Sequence, residues 1–174
     1  MKKRVLFIIA QEGFRDEELL VPRQILEAAG IEVVVASIST EPALGKLGAK
    51  VLPDIAVKDA DLADYDMILM VGGPGAPELA NYDEVKDIFV RARSEEKPFG
   101  AICIAPMNLA RFGVLEDKRA TVFKDDEAIS ALEEGGARYT GKDVEVDGNI
   151  VTADGPFSAE KFAKAVVKLL NSRD

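Results

Sequence analysis

The sequence contains no histidine, and Cys103 is the only cysteine among its 174 residues. These absences remove the usual ligands of zinc and the clustered thiolates of iron–sulfur centres. We therefore expect no metal site and no cofactor. A single cysteine also excludes an internal disulfide, so the cysteine content does not favour secretion.

The lack of histidine limits what Cys103 can do as a nucleophile. Most cysteine hydrolases activate the thiol with a neighbouring imidazole, and this chain has none. If the thiol is reactive, other groups must activate it.

Positive charge and long apolar runs are also scarce. The chain has 22 Lys and Arg against 31 Asp and Glu, a net charge of −9. This balance disfavours nucleic acid and anionic membrane surfaces as partners.

The apolar run that follows Lys2, Lys3 and Arg4 is only about six residues long, whereas a signal peptide needs ~7–15. We therefore expect a cytoplasmic protein.

The length and composition are typical of one soluble globular domain, residues 1–174, with 48% hydrophobic and 30% charged residues. Apolar runs predict strands at Arg4–Ala10, Glu32–Ser37, Met67–Val71, Phe99–Ile102, Ala120–Phe123, Val144–Val146 and Ile150–Ala153. Helices are predicted at Glu17–Ala29, Asp83–Glu95, Ala105–Phe112, Asp125–Glu134 and Phe157–Asn171. Hairpins are predicted near Ala49–Leu52 and at Asp147-Gly148. This alternation favours a doubly wound α/β sandwich with a mostly parallel sheet.

Three turns at predicted strand ends define a candidate site. They are Gln11–Glu18, Gly72–Glu78 and Cys103–Pro106. In doubly wound folds, ligands bind beyond the carboxyl ends of the strands, where the strand order reverses. We therefore expect the three turns to meet there.

Cys103 lies where a predicted strand passes into a predicted helix. Its neighbours at two residues' distance, Ala101 and Ala105, are small, as the crowded turn of a nucleophile elbow requires. Pro106 suits the first turn of a helix. A helix N-terminus is expected to lower the pKa of the thiol. The alternative is that Cys103 is a small buried apolar residue, as lone cysteines often are.

The acidic segment before the first helix contains a second candidate, Glu18. Asp16 and Glu17 suit the positive end of the helix dipole. Glu18 immediately precedes Leu19 and Leu20, which are expected to face the core, so it can turn inward. A carboxyl group beside a thiol in a desolvated pocket would have a raised pKa and could shuttle a proton.

The glycine-rich turn Gly72–Glu78 is the third candidate. It lacks the Gly-Lys-Ser/Thr of a phosphate-binding loop, and Pro74 and Pro77 provide no amide donors. The N–H groups of Gly72 or Gly73 could instead face Cys103 and form an oxyanion hole. The alternative is a tight turn with no role in the site. Phe157 and Phe162 follow helical spacing, and we expect both side chains to lie in the core.

The chain resembles the PfpI/ThiJ family, which includes the parkinsonism-associated deglycase and archaeal intracellular proteases. The resemblance extends over nearly the whole chain. It rests on four motifs in order: Phe14-Arg-Asp-Glu-Glu-Leu19, Gly72-Gly-Pro-Gly-Ala-Pro-Glu78, Ala101-Ile-Cys-Ile-Ala-Pro106 and Thr152-Ala-Asp-Gly-Pro156. It implies a flavodoxin-like sandwich that forms a homodimer or a larger homo-oligomer.

The resemblance also implies roles for particular residues. Cys103 matches the elbow cysteine of the family, and Glu18 matches the buried glutamate that hydrogen-bonds its sulfur. Gly73 and Ile104 match backbone donors around an anion pocket, to which Gly72 also contributes. Family members have been assigned glyoxalase, deglycase, peptidase, chaperone and peroxide-sensing roles.

Two positions depart from the family pattern. Ile104 replaces the histidine that follows the cysteine in protease-like members, and Phe123 stands where other members place histidine or tyrosine in the pocket wall. A Cys–His peptidase or amidase is therefore disfavoured. The remaining enzyme hypothesis is attack of Cys103 on a small 2-oxoaldehyde or its protein adduct, with Glu18 moving the proton.

Two non-catalytic hypotheses stay open. In the first, the protein is a redox sensor whose partner is an oxidant, and Cys103 is oxidised to sulfinate. In the second, the protein is a chaperone or scaffold for which Cys103 is dispensable.

Overall fold

The chain folds around a central sheet, as seen in a computed structural model that describes residues 1–174. The strands are β1 (Arg4–Ile8), β2 (Glu12–Phe14), β3 (Glu32–Ser37), β4 (Ala43–Gly45), β5 (Lys50–Val51), β6 (Ile55–Ala56), β7 (Met67–Met70), β8 (Phe99–Ile102), β9 (Arg119–Ala120), β10 (Arg138–Tyr139), β11 (Val144–Asp147) and β12 (Ile150–Ala153). The helices are α1 (Asp16–Ala28), α2 (Asp83–Ser94), α3 (Ala105–Arg111), α4 (Asp126–Glu134) and α5 (Ala159–Asn171). None of the five has both the length and the apolar character needed to cross a membrane.

The central sheet has seven strands in the order β11-β12-β8-β7-β1-β3-β6. All neighbouring pairs are parallel except β11 and β12. The first strand lies in the middle, between β3 and β7, so the direction of winding reverses there. This is the doubly wound, flavodoxin-like arrangement, and it confirms the predicted fold class.

Both faces of the sheet are buried, which explains why its strands have continuous apolar runs. Along β1, Val5 and Phe7 belong to one core cluster, whereas Leu6 and Ile8 belong to the other. The first cluster contains residues of α1 and α5, and the second contains residues of α2, α3 and α4. All four β1 side chains are fully buried.

The predicted strand Ala120–Phe123 is wrong. Only Arg119–Ala120 forms a strand, and it pairs with β10 outside the central sheet. The next residues make other bonds. The Thr121 N–H donates to Thr152 Oγ1 at 3.0 Å, and the Phe123 N–H donates to the carbonyl of Cys103 at 2.7 Å. This segment therefore lies beside Cys103 instead of extending the sheet.

The start of the last helix also differs from the prediction. Helix α5 begins at Ala159, and Phe157 lies in a preceding 3₁₀ turn with its side chain fully exposed. A hydrogen bond of 2.5 Å from Ser158 Oγ to Asp154 Oδ1 holds this turn. Phe162, in contrast, is fully buried as expected.

Both predicted hairpins form, with shifted turns. The first joins β4 to β5, and residues 46–49 form its turn. The second joins β11 to β12 through Gly148 and Asn149, because Asp147 pairs with Ile150. Gly148 has φ +60°, a conformation that glycine adopts without strain.

Candidate functional site

Cys103 occupies a sharp turn between β8 and α3. Its backbone has φ +65°, which is a strained conformation for a residue with a side chain. Two backbone hydrogen bonds keep Cys103 in this conformation. Its N–H donates to the carbonyl of Ala153 at 2.9 Å, and its carbonyl accepts from the N–H of Phe123. Ala101 and Ala105 are fully buried against the turn. The local geometry is that of a nucleophile elbow.

Glu18 lies on the first turns of α1 and is fully buried. Its Oε1 accepts a hydrogen bond of 2.9 Å from the Gly72 N–H. Its Oε2 is buried without a hydrogen-bond partner. The carboxyl group lies close enough to the Cys103 thiol for each group to shift the pKa of the other. The structure thus brings together the two residues that the sequence singled out. Leu19 is buried as expected, whereas Leu20 is 44% exposed.

Glu17 has a different environment from Glu18. Its carboxylate pairs with the Arg15 guanidinium, with an Oε2–Nη2 distance of 2.9 Å. This hydrogen bond lowers the pKa of Glu17. The adjacent carboxylates therefore divide into an ion-paired one at the surface and a buried one beside sulfur.

Gly72 and Gly73 occupy positions that only glycine fits. A Cβ on Gly72 would lie 2.7 Å from both Cys103 Cβ and Glu18 Oε1. Gly73 has φ +108°, and a Cβ there would overlap the backbone N of Arg15. The Gly72 amide is committed to Glu18. Of the three amides expected at the anion pocket, those of Gly73 and Ile104 are the two that interact with the sulfur.

Burial makes negative charge costly for the Cys103–Glu18 pair. Burial raises the pKa of Glu18 to about 7. Burial and the ionised Glu18 carboxylate raise the pKa of Cys103 to about 12, although the amides of Ile104 and Gly73 lower it. The expected lowering of the thiol pKa by the helix terminus is outweighed. Because a second negative charge is so unfavourable, the pair shares a single charge above neutral pH.

The sulfur lies at the base of a cleft of about 770 Å³, and Cys103 remains 9% exposed. Phe123 lines the cleft and is 46% exposed. Several lining residues were not assigned to the site by sequence reasoning, among them Arg15, Lys46 and Phe157. Arg15 lies in a turn that was singled out, whereas nothing in the sequence around Lys46 connects it to the site.

No group of three or more cysteine, aspartate or glutamate side chains is arranged to hold a metal ion. The polar groups that interact with sulfur are the Glu18 carboxyl group and the amides of Gly73 and Ile104. This set can stabilise one developing negative charge and transfer one proton.

Comparisons with known proteins agree with this geometry. The family model described as DJ-1/PfpI family matches residues 3–169. A deglycase of Thermococcus kodakarensis is 31% identical over 169 residues, 95% of this chain and 98% of that protein. A glutathione-independent glyoxalase of Caenorhabditis elegans is 28% identical over 169 residues, 97% of this chain and 89% of that protein.

A solved structure is similar over the full length. The ThiJ/PfpI domain protein of Brachyspira murdochii superposes with a TM-score of 0.93 at 32% identity, covering 99% of each chain. The elbow cysteine, the buried glutamate and these matches together define the class of protein. The chain belongs to the DJ-1/PfpI family.

Alkylation of Cys103 by iodoacetamide is expected to accelerate as the pH rises through about 7. There the Glu18 carboxyl group ionises, and the carboxylate can accept the thiol proton as the sulfur reacts. The rate should then level off, because the second proton leaves only in strongly alkaline solution. Intact-mass spectrometry across pH 5–10 measures the rate. In Glu18→Gln the step near pH 7 should disappear. A single step near pH 8.5, the value of an ordinary thiol, would contradict the shared proton.

Glu18→Gln is expected to stabilise the fold more at pH 8 than at pH 4.5. The folded-state pKa of Glu18, about 7, lies above the ordinary value of 4.5. The folded state therefore binds this proton more tightly, and stability falls as the pH rises from 4.5 to 7. The difference between the two pKa values corresponds to about 3 kcal/mol, which a neutral glutamine removes.

Urea unfolding at each pH measures this effect. Glu17→Gln is the matched control, because its carboxylate is ion-paired at the surface; it should bring no such gain at pH 8. An equal Glu18→Gln effect at both pH values would show that burial does not hold the proton on the pair.

Proposed function

We propose that the protein is a cysteine-dependent enzyme that converts small 2-oxoaldehydes, or their protein adducts, to hydroxy acids. One observation carries this proposal. The buried carboxyl group of Glu18, one of whose oxygens has no hydrogen-bond partner, lies near the sulfur of a strained elbow cysteine, and that cysteine lines a cleft. The names of the glyoxalase and deglycase relatives support the same chemistry.

The first step is attack of the Cys103 thiolate on the aldehyde carbon. The carbon–sulfur bond forms, and the carbonyl π electrons move to oxygen. The amides of Gly73 and Ile104, which interact with the sulfur, would stabilise the resulting oxyanion. A proton from Glu18 completes a hemithioacetal.

The second step is a proton transfer between adjacent carbons. Ionised Glu18 removes the proton from the former aldehyde carbon, giving an enediolate. The hydroxyl proton on that carbon then passes to the neighbouring oxygen, and Glu18 returns its proton to the neighbouring carbon. The first carbon is oxidised to a thioester and the second is reduced to an alcohol, so no external oxidant is needed. Water then cleaves the thioester, which releases the 2-hydroxy acid and regenerates the thiol. A pKa of about 7 lets Glu18 act as both acid and base near neutral pH.

Purified protein is expected to consume methylglyoxal and release lactate at a rate that depends on Cys103. Turnover should be slow, because no imidazole assists proton transfer. Glu18→Gln should reduce kcat by at least about a hundredfold, since general acid–base catalysis contributes on the order of 10²–10⁴. A coupled lactate assay measures the rate. Loss of methylglyoxal at the same rate in Cys103→Ala would show that the enzyme proposal is wrong.

The same geometry supports a second function, oxidation sensing. Two equivalents of peroxide would convert the thiolate to sulfinate and release two waters. The amides of Gly73 and Ile104 and a protonated Glu18 would bind the sulfinate oxygens. Intact mass after mild peroxide treatment should increase by two oxygens in wild type and not in Cys103→Ala. Methylglyoxal turnover without this mass gain would favour the enzyme; the gain without turnover would favour the sensor.

The homodimer or larger assembly and the cytoplasmic location stay predictions. The exposed leucines of the β4–β5 hairpin are the apolar surface that a second copy would cover: Leu44, Leu47 and Leu52.

A further inference from the structure

The cleft is larger than a three-carbon 2-oxoaldehyde requires. Its volume of about 770 Å³ lies within the range of pockets that bind ligands of drug size. A substrate that fills more of the cleft must have a group beyond the aldehyde and ketone carbons. The charges along the cleft show which group it is.

The acidic side chains of the cleft already have partners within the protein. Glu127 pairs with Arg111 at 3.1 Å, and Asp143 pairs with Lys161 at 2.8 Å. Asp125 accepts from the N–H of Ala128, and Asp154 accepts from Ser158. Each of these four carboxylates is thus engaged by a donor within the protein.

Two lysines that line the cleft have no such partner. The ammonium groups of Lys46 and Lys124 make no hydrogen bond and no ion pair. Lys124 is followed directly in the chain by three acidic residues, Asp125, Asp126 and Glu127. Lys46 has no acidic residue next to it in the chain.

Lys46 is fastened beside a second cation, Arg15. The Lys46 N–H donates to the carbonyl of Phe14 at 2.8 Å. The amides of Leu47 and Ala49 donate to the carboxylate of Asp16 at 2.9 Å and 2.7 Å. Asp16 is only 6% exposed. The hairpin turn is therefore bound to the residues on both sides of Arg15.

Arg15 in turn lies next to the reactive pair. Its N–H donates to the carbonyl of Gly72 at 2.9 Å, and Gly72 contacts both Cys103 and Glu18. Its guanidinium uses Nε and Nη2 on Glu17, so the N–H groups of Nη1 stay available. Arg15 and Lys46 both line the cleft, and a guanidinium and an ammonium group suit a carboxylate or a phosphate.

We propose that the substrate is a 2-oxoaldehyde with an anionic group at the end remote from the aldehyde, bound by Arg15 and Lys46. This inference rests on the proposed function and adds the substrate class. Cys103 attacks the aldehyde end, while the two cations orient the carboxylate or phosphate. In a chain of net charge −9, this pair is a local exception that attracts an anion into the site.

A matched pair of substrates tests the proposal. The first is 4,5-dioxopentanoate, and the second is its methyl ester, which has the same reacting end and no charge. Wild-type kcat/KM should favour the acid by about tenfold or more, because a charge-assisted bond is lost in the ester. The preference should shrink at high salt, since Lys46 is exposed to solvent and Arg15 is partly exposed. Phosphorylated hydroxypyruvaldehyde against its unphosphorylated form distinguishes phosphate from carboxylate.

Variants of Arg15 and Lys46 test whether these two cations cause the preference for the acid over the ester. In Arg15→Gln and in Lys46→Gln, the acid-to-ester ratio should fall by about fivefold or more, and in the double variant it should approach one. Lys86→Gln on α2, which also removes one exposed lysine, should leave the ratio unchanged. A ratio near one in wild type, with Cys103-dependent turnover of both substrates, would overturn the proposal and leave the enzyme function intact. A preference that persists in the double variant would also overturn it.

A binding measurement decides the matter if neither substrate turns over. Calorimetry with 4-oxopentanoate and with its methyl ester then compares wild type with the double variant. Binding of the acid alone, lost in the double variant, would support the anion site even if the enzyme proposal fails. Equal binding of both compounds, or of neither, would overturn it.

Discussion

The contact of Glu18, Gly72 and Cys103 is the constraint on which the site depends. The three residues come from α1, from the turn after β7 and from the turn after β8. Gly72 leaves no room for a side chain between the other two, and its amide directs Glu18 toward the sulfur. The pair can form only because the parallel order places these turns at one edge of the sheet.

The site contains two unfavourable features that the rest of the fold must offset. Cys103 has a left-handed backbone conformation, which costs about 1–2 kcal/mol, and Glu18 is a carboxyl group buried among apolar residues. Two apolar clusters, one on each face of the sheet, supply the stability that keeps both in place. In return, the fold obtains a proton donor and acceptor with a pKa near 7 without using histidine.

Net charge alone is misleading for this molecule. An excess of acidic residues disfavours polyanionic partners, yet the acidic side chains around the cleft are engaged within the protein. Lys46 makes no ion pair, and the carboxylate of the buried Asp16 accepts hydrogen bonds from the backbone amides of Leu47 and Ala49. Which charges meet a ligand therefore depends on internal pairing and not on composition.

Much of the fold and the main residues of the site could be predicted from the sequence. Continuous apolar runs such as residues 4–10 indicate strands buried on both faces, and turns at their carboxyl ends brought Cys103, Glu18 and Gly73 into one candidate site. The family resemblance added the fold type and the choice of Glu18 over Glu17. The absence of histidine, a fact of composition alone, restricted the chemistry.

The tertiary structure decided what depends on contacts between distant residues. Hydrogen bonds from Lys46 to Phe14 and from Phe123 to Cys103 bring two segments to the cleft that local pattern assigned elsewhere. Phe157 is exposed although its helical spacing matched the core residues. At Cys103, burial raises the pKa of the thiol by more than the helix N-terminus lowers it. Local sequence determines which elements form, because periodicity acts within a segment. The burial of side chains and the pairing of charges arise only when the elements pack together. They determined which groups of the site are charged and which residues line the cleft.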